Sequence, residues 1–346
     1  MNQRLAQVTR KLSSDRLDGI LLSSSPNVSY TAGYPCRDTY LLITPRKSIF
    51  LTDARYSDEL KEQTSGFQIR ASSGSLVELA AKECLGLGLK RVGFEGRYIS
   101  YSAYALMKKR LGKKVTLVEK THFIEDLRAI KTENEISLIK RAATITKDAM
   151  QFARSLISPG RREIEVAAEL ERFVRFHGAR SCAFPIIVAS GKNSAFPHHI
   201  TSDKKIEKDE PVLIDMGVDY QGYKSDLTRV FNSGKISTTV KKTYEIVLRA
   251  QKSAISKIKP GISAKVIDAA ARQYIARCGF GGFFGHSVGH GVGLEIHEDP
   301  RIAKTSEGVV REGMVFTVEP GIYLHGKFGI RIEDMVLVTE KGVAIL

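Results

Sequence analysis

The sequence predicts two domains: an α/β domain with a mixed sheet over residues 1–128, then an α+β domain built from two related halves over 129–346. Three observations predict it. Short apolar runs alternate with amphipathic stretches through the first third of the chain. A capping-box pattern, Thr132 with Glu135, opens a new helix just past residue 131. Beyond it, two landmarks recur at one offset of 101 residues.

In the first domain, 19–23, 40–44, 48–52, 91–94 and 115–118 read as strands, and 54–63, 75–85 and 100–111 read as helices. In the second, Pro159-Gly160 precedes an amphipathic run that ends at His177-Gly178, and Pro260-Gly261 precedes one that ends at Cys278-Gly279. Each Pro-Gly makes a turn, each middle is helical, and each closing glycine suits a left-handed cap. One match would be chance. Two matched landmarks predict two similar halves, each a helical hairpin followed by strands.

Each half then carries a β-hairpin with two acids. The first runs from Val212 to Phe231 and the second from Met314 to Val338. A turn centred between Tyr220 and Gln221 sets Asp215 opposite Asp226; one centred at Gly326 sets Glu319 opposite Glu333. Directly opposed residues share a face with neighbouring Cβ atoms, and like charges there repel. A lone acid in such a place is most simply a turn cap or an ion-pair partner. Two pairs in two related halves call instead for a compensating cation.

Composition narrows the function. Hydrophobic residues are 42% and charged residues 26% of the chain, inside the range of soluble globular proteins. No apolar run approaches the roughly 20 residues of a bilayer span. The N-terminus, with Arg4, Arg10 and Lys11 and no apolar stretch behind them, does not read as a signal peptide. Cys36, Cys84, Cys182 and Cys278 lack paired spacing, which argues against disulfides or a thiolate zinc site and predicts a reducing cytoplasm. The formal charge is +15, densest at Lys108, Lys109, Arg110, Lys113 and Lys114. Without interleaved aromatics, that cluster reads as a solvated helix face, and a nucleic-acid partner is disfavoured.

Between the hairpins, residues 285–298 hold His286, His290 and His297 among closely spaced glycines. Glycine lets backbone approach a metal and its substrate without side-chain obstruction. Four carboxylates offset two divalent ions in formal charge, and an imidazole completes a mostly oxygen shell. That shell suits Mn(II), Fe(II), Co(II) or Zn(II). Two such ions activating water against a carbonyl make a hydrolase.

The motifs Ile214-Asp215-Met216-Gly217, Ser225-Asp226-Leu227-Thr228-Arg229, the run Gly289 to Glu298, Thr317-Val318-Glu319-Pro320-Gly321 and Arg331-Ile332-Glu333-Asp334 resemble, in order, the series of the pita-bread metallopeptidases. Within them the chain is similar to the Xaa-Pro peptidases, prolidase and aminopeptidase P. A looser likeness to their creatinase-like N-terminal domain runs through 25–33 and 51–56. The resemblance implies that Asp215 chelates one metal, that Asp226 and Glu333 bridge two, and that His290 and Glu319 complete the set. It implies that Glu319 is also the general base, and that His198 and His297 contact the substrate's carbonyl and amide region. His286, Arg331 and Tyr323 are expected to line the proline side, with Arg331 equally open to a supporting contact on the face of Glu333 and Thr228 behind Asp226. His122, His177, His199 and His325 are expected to be ordinary histidines.

The resemblance further implies two divalent ions, manganese first with cobalt, zinc or iron as alternatives. It implies a proline-containing di- or oligopeptide substrate, a homodimer and no membrane partner. Methionine aminopeptidase is the nearest alternative, against which stand the N-terminal domain and Arg331 two positions before Glu333. A non-catalytic pita-bread binding module is the other, though such modules have usually lost ligands. Dipeptidase activity is favoured slightly over aminopeptidase P.

Overall fold

The computed structural model describes residues 3–346, which form two compact units, 3–127 and 128–346. In the first, α1 (Gln3–Ser14) buries Leu5, Val8 and Leu12, one apolar stripe at helical spacing. There follow β1 (Gly19–Leu22), α2 (Ser25–Ala32), β2 (Tyr40–Ile43), β3 (Ser48–Thr52), α3 (Ala54–Gln63), β4 (Gln68–Ala71), α4 (Leu76–Gly86), β5 (Arg91–Glu95), α5 (Tyr101–Leu111) and β6 (Thr116–Lys120). The sheet runs β4-β3-β2-β1-β5-β6, antiparallel about β2 and parallel at both flanks, so it is mixed as the alternation predicts. Sequence reading misses α1, α2 and β4. In β4 every residue but Ile69 is exposed, so no apolar run marks it.

A short turn of helix, α6 (Glu125–Arg128), leads to α7 (Glu133–Leu156). There Thr132 and Glu135 exchange both bonds of the capping box. The first half of the second unit continues through α8 (Glu163–Phe176), β7 (Ser181–Cys182), β8 (Ile187–Ser190), β9 (Pro211–Met216), β10 (Val218–Tyr220), β11 (Tyr223–Lys224) and β12 (Leu227–Asn232). The second half repeats the plan with α9 (Thr238–Ile255), α10 (Ala264–Arg277), β13 (Gly289–Gly291), β14 (Glu298–Ile302), β15 (Val315–Val318), β16 (Gly321–Leu324), β17 (Phe328–Arg331), β18 (Asp334–Thr339) and β19 (Gly342–Ile345). Each half has its own apolar core, one around Ile145, Val166, Leu170 and Val188, the other around Val247, Ile267, Ile275 and Phe316.

The equivalence of the halves is visible at the helix ends. Gly178 and Gly279 sit at φ +92° and +88°. The next N–H in each reaches back five residues, Ala179 to Val174 O at 3.0 Å and Phe280 to Ile275 O at 3.1 Å. Both are Schellman caps.

The two long hairpins both bend where the acids lie. β9 and β10 part at Gly217, β11 and β12 part at 225–226; β15 and β16 part at 319–320, β17 and β18 at 332–333. In the second hairpin the register is the expected one: Tyr323 faces Gly329 and Val318 faces Asp334, so Glu319 falls level with Glu333. The first departs from expectation. Its turn is centred between Gln221 and Gly222, so Asp215 faces Thr228 rather than Asp226. Both turn residues have positive φ, +52° and +92°, the two-residue hairpin geometry. Because the slip moves pairing by two residues, Asp226 stays on the side of the sheet that Asp215 occupies.

An added Cβ at Gly178 or Gly279 would meet nothing within 4 Å, so alanine there costs only backbone strain. Each substitution should lower stability by about 1–2 kcal/mol, equally in the two halves. Urea midpoints of the two variants test this; a much larger loss at one site would break the equivalence.

Candidate metal centre and active site

The bends bring the two hairpins together at the middle of the second unit. Thr228 and Arg229 on β12 stitch them. Thr228 Oγ1 donates to Glu333 Oε2 at 2.6 Å, and Arg229 Nη2 pairs with Asp334 Oδ1 at 2.5 Å. Arg229 also donates to the backbone carbonyl of Glu333, and the Glu333 N–H reaches Thr228 O at 3.3 Å. Asp226, His290 and Glu333 thereby bring ligand atoms within 4.8 Å of one another. Glu319 joins through His290, whose Nε2 lies 3.2 Å from Glu319 Oε1 and 3.6 Å from Asp226 Oδ2. The other ring nitrogen, Nδ1, donates to Gly291 O at 3.2 Å, which leaves Nε2 facing the carboxylates.

Asp215 is held differently. Arg331 Nη2 pairs with Asp215 Oδ2 at 2.5 Å, while Nε donates to Thr228 Oγ1 at 3.0 Å and Nη1 to Tyr323 Oη at 2.9 Å. Arg331 therefore lies against Thr228, the residue that bonds Glu333, and against Tyr323 on its other side. His286 Nδ1 donates to Ser287 O at 2.8 Å, so its Nε2, 2.9 Å from Tyr323 Oη, accepts the phenol proton. Burial holds His286 below its ordinary pKa, which keeps that ring neutral.

The electrostatics leave room for cations. Burial pushes Asp226 and Glu333 well above the carboxylate range, and the surrounding acids push the same way. Asp215 is raised by burial, less so because Arg331 opposes it. Burial is the largest influence on Glu319 and works against its ionised form, but the hydrogen bond from His290 and the nearby charges of His290 and Arg331 together outweigh it and hold the acid down at about 2. With His290 and Arg331 both charged, four carboxylates still exceed the cations by two. Asp215 Oδ1 and Glu333 Oε1 are buried with no hydrogen-bond partner among the described residues. Orphaned buried acceptors are costly, so these oxygens are built for something else. Asp215, Asp226, His290, Glu319 and Glu333 fit a pair of divalent ions in charge and donor chemistry.

His297 is exposed, with its ring 4.1 Å from that of His290. His198 is exposed on the segment after a 3₁₀ turn at Gly191–Ala195, and Arg331 Nη1 donates to the neighbouring Pro197 O at 3.2 Å. His325 packs against Phe196 and His177 stacks on Phe173. His199, expected to be ordinary, bonds a buried acid instead: its Nε2 is 3.1 Å from Glu163.

Sequence reading also misses a second buried support. Glu298 closes the glycine-rich loop and is clamped by Lys131 Nζ at 2.8 Å and Arg128 Nη2 at 2.5 Å, all three side chains at most 4% exposed. The Glu295 N–H also donates to Glu298 Oε2 at 3.2 Å, which tightens the loop beside His297. No spacing in the sequence joins residues 128 and 131 to 298.

Fold and site together define a two-domain metal-dependent peptidase of the pita-bread class. Residues 137–340 match the model of metallopeptidase family M24, and residues 4–130 match the creatinase/prolidase N-terminal domain. The chain belongs to metallopeptidase family M24. It is 40% identical over 348 residues to an Xaa-Pro dipeptidase of Pyrococcus horikoshii, covering 99% of this chain and 96% of that one. Among solved structures it resembles the Xaa-Pro dipeptidase from Bacillus anthracis, with a TM-score of 0.95 at 40% identity, covering 99% and 96% of the two chains. It also resembles the X-Pro aminopeptidase from Thermotoga maritima, with a TM-score of 0.87 at 37% identity over 96% and 97%.

Burying like charges destabilises the metal-free fold, so Asp226→Asn and Glu333→Gln should each stabilise it by about 0.5–2 kcal/mol while reducing metal uptake. The sign with pH follows from the raised values. An acid whose folded pKa is raised loses stability as pH climbs from the ordinary carboxylate range through the raised one. The gain should therefore grow toward alkaline pH. Thermal unfolding of metal-free protein across pH, with metal content by mass spectrometry, tests it; a metal-free variant less stable than the parent would contradict the charge argument.

Proposed function

We propose that the protein is an Xaa-Pro dipeptidase whose chemistry lies within 129–346, with residues 1–128 as an accessory domain. The observation that carries the reading is the buried carboxylate cage with its two unpartnered oxygens. The Xaa-Pro relatives of matching length support the substrate, and the methionine aminopeptidase alternative gains no support from them. Asp215, Asp226, His290, Glu319 and Glu333 would hold two divalent ions, manganese first because the donors are mostly oxygen. Bound there, such ions lower the pKa of water and polarise a carbonyl.

The chain's own groups supply the rest. Glu319, held ionised beside His290, takes a proton from the attacking water and passes it to the proline nitrogen as the C–N bond breaks. His198 and His297 face the carbonyl side and donate hydrogen bonds to the oxygen as negative charge develops. His286, Tyr323 and Arg331 line the proline side. The bond before proline is a tertiary amide without an N–H, so attack directed at the carbonyl suits it better than recognition through that N–H. We further read the protein as a homodimer, as the family resemblance implies, working in a reducing cytoplasm, which the scattered cysteines support.

Hydrolysis of Ala-Pro, Ala-Pro-Ala and Met-Ala-Ala by metal-free protein reloaded with Mn(II), Co(II) or Zn(II) tests the assignment. Cleavage of Ala-Pro alone is expected. Cleavage of Ala-Pro-Ala after its first residue would make it an aminopeptidase P, and release of methionine would overturn the Xaa-Pro reading. Glu319→Ala should lower kcat by at least about 1,000-fold and weaken metal binding. His297→Ala should lower kcat by about 100-fold with both ions retained; loss of metal there would make His297 a ligand instead.

A further inference from the structure

Glu163, at the start of α8, has no exposed surface and takes no part in the chemistry above. Its Oε1 accepts from Ser190 N at 2.7 Å, Ser190 Oγ at 2.8 Å and Asn193 Nδ2 at 3.1 Å. Its Oε2 accepts from Ser202 Oγ at 2.6 Å, His199 Nε2 at 3.1 Å, Asn193 Nδ2 at 3.2 Å and Ser202 N at 3.3 Å. The backbone follows: Glu163 N donates to Lys204 O and Ile164 N to Ser202 O, both at 3.0 Å. Every partner belongs to residues 190–204, the segment that carries His198. Burial disfavours the ionised carboxyl, yet the donors together hold it below its ordinary pKa.

The loop gains nothing from His198 itself. That side chain is exposed and makes no hydrogen bond or ion pair among the described residues. Its place is set through its neighbours. Pro197 O is tied to the metal cage by Arg331, and Ser194 Oγ accepts from Gly329 N at 2.8 Å. His199, one residue further on, is tied to α8 by Glu163. A ring with no partner of its own, between two pinned neighbours, is oriented by the backbone that carries it.

We infer that Glu163 is a positioning residue which, through His199 and both ends of the 190–202 loop, holds His198 at the carbonyl side of the site. The inference rests on the role proposed above for His198, and the test separates the two. A carboxylate fits this task because it accepts several bonds at once and, at the first turn of a helix, is favoured by the helix dipole. Glutamine has the same shape, but its amide nitrogen must face groups that are themselves donors.

The test uses the full chain loaded with Zn(II) and reads two quantities. The first is the imidazole ¹³Cε1–¹H spectrum, with the His198 signal identified by its loss in His198→Ala. Glu163→Gln should move that signal to the averaged position of a mobile imidazole while His290 and His297 stay in place. An unmoved His198 signal overturns the positioning role whatever the activity. The second is a double-mutant cycle on Ala-Pro hydrolysis. Glu163→Gln alone should lower kcat by about 10-fold with both ions bound, and should cost nothing further once His198 is alanine. Independent, multiplying losses would make Glu163 a general scaffold residue and overturn the inference. If the signal moves as expected but His198→Ala is fully active, the positioning stands and the carbonyl role of His198 falls. Should Glu163→Gln fail to fold, His199→Ala, which removes one donor and leaves the carboxylate, is read in the same two assays.

Discussion

Four carboxylates buried against one imidazole and one guanidinium are the constraint to which the rest of the second unit answers. Taken alone, Asp215, Asp226, Glu319 and Glu333 would repel one another out of any apolar core, since burial and mutual charge both raise the cost of ionisation. The fold bears that cost by stitching the two hairpins at Thr228, Arg229 and Arg331 and by packing a separate apolar core in each half. What the stitching leaves unsatisfied is confined to acid oxygens that a divalent ion would take up. The site is therefore less stable than its surroundings by design, as metal sites commonly are before metal arrives.

The repeat of the two halves explains why the acids can meet at all. A flat hairpin would spread its side chains over a single sheet face. Each hairpin here bends at the acid positions, and the glycine at the first bend permits it: a Cβ on Gly217 would lie 1.8 Å from Ser225 O. The glycine-rich loop obeys the same sterics, since a Cβ on Gly289 would strike Thr317 O and one on Gly291 would strike Asp299 O. His290 is brought against Glu319 because the backbone on either side of it passes that close.

The candidate site was more legible in the sequence than its supports. Acids in apolar strands and histidines among glycines are local signals, and strand parity kept Asp226 on the right face even though the first turn was centred one residue early. The cause of that error is physical. Gln221 adopts positive φ without a side chain that announces it, so Gly222 alone could not fix the turn's centre. The supports were invisible for another reason. Glu163 at a helix start looks like any acid placed to complement a dipole, and Lys131 and Arg128 look like surface cations until Glu298 is folded onto them. Their partners lie 27 or more residues away, with no periodicity linking them.

Arg331 shows why such a centre needs a particular side chain and not just a positive charge. Its guanidinium reaches Asp215, Thr228, Tyr323 and the Pro197 carbonyl at once, in a nearly fully buried position. Those contacts join Asp215, the strand behind it, Tyr323 and the segment bearing His198. A lysine ammonium offers a point charge with three donors and no fixed plane. It could neutralise Asp215, but it could not hold four groups at fixed angles to one another. The planar fork thus couples the proposed metal ligand Asp215 to the residues proposed to meet the substrate through one rigid group, which fixes their positions relative to one another.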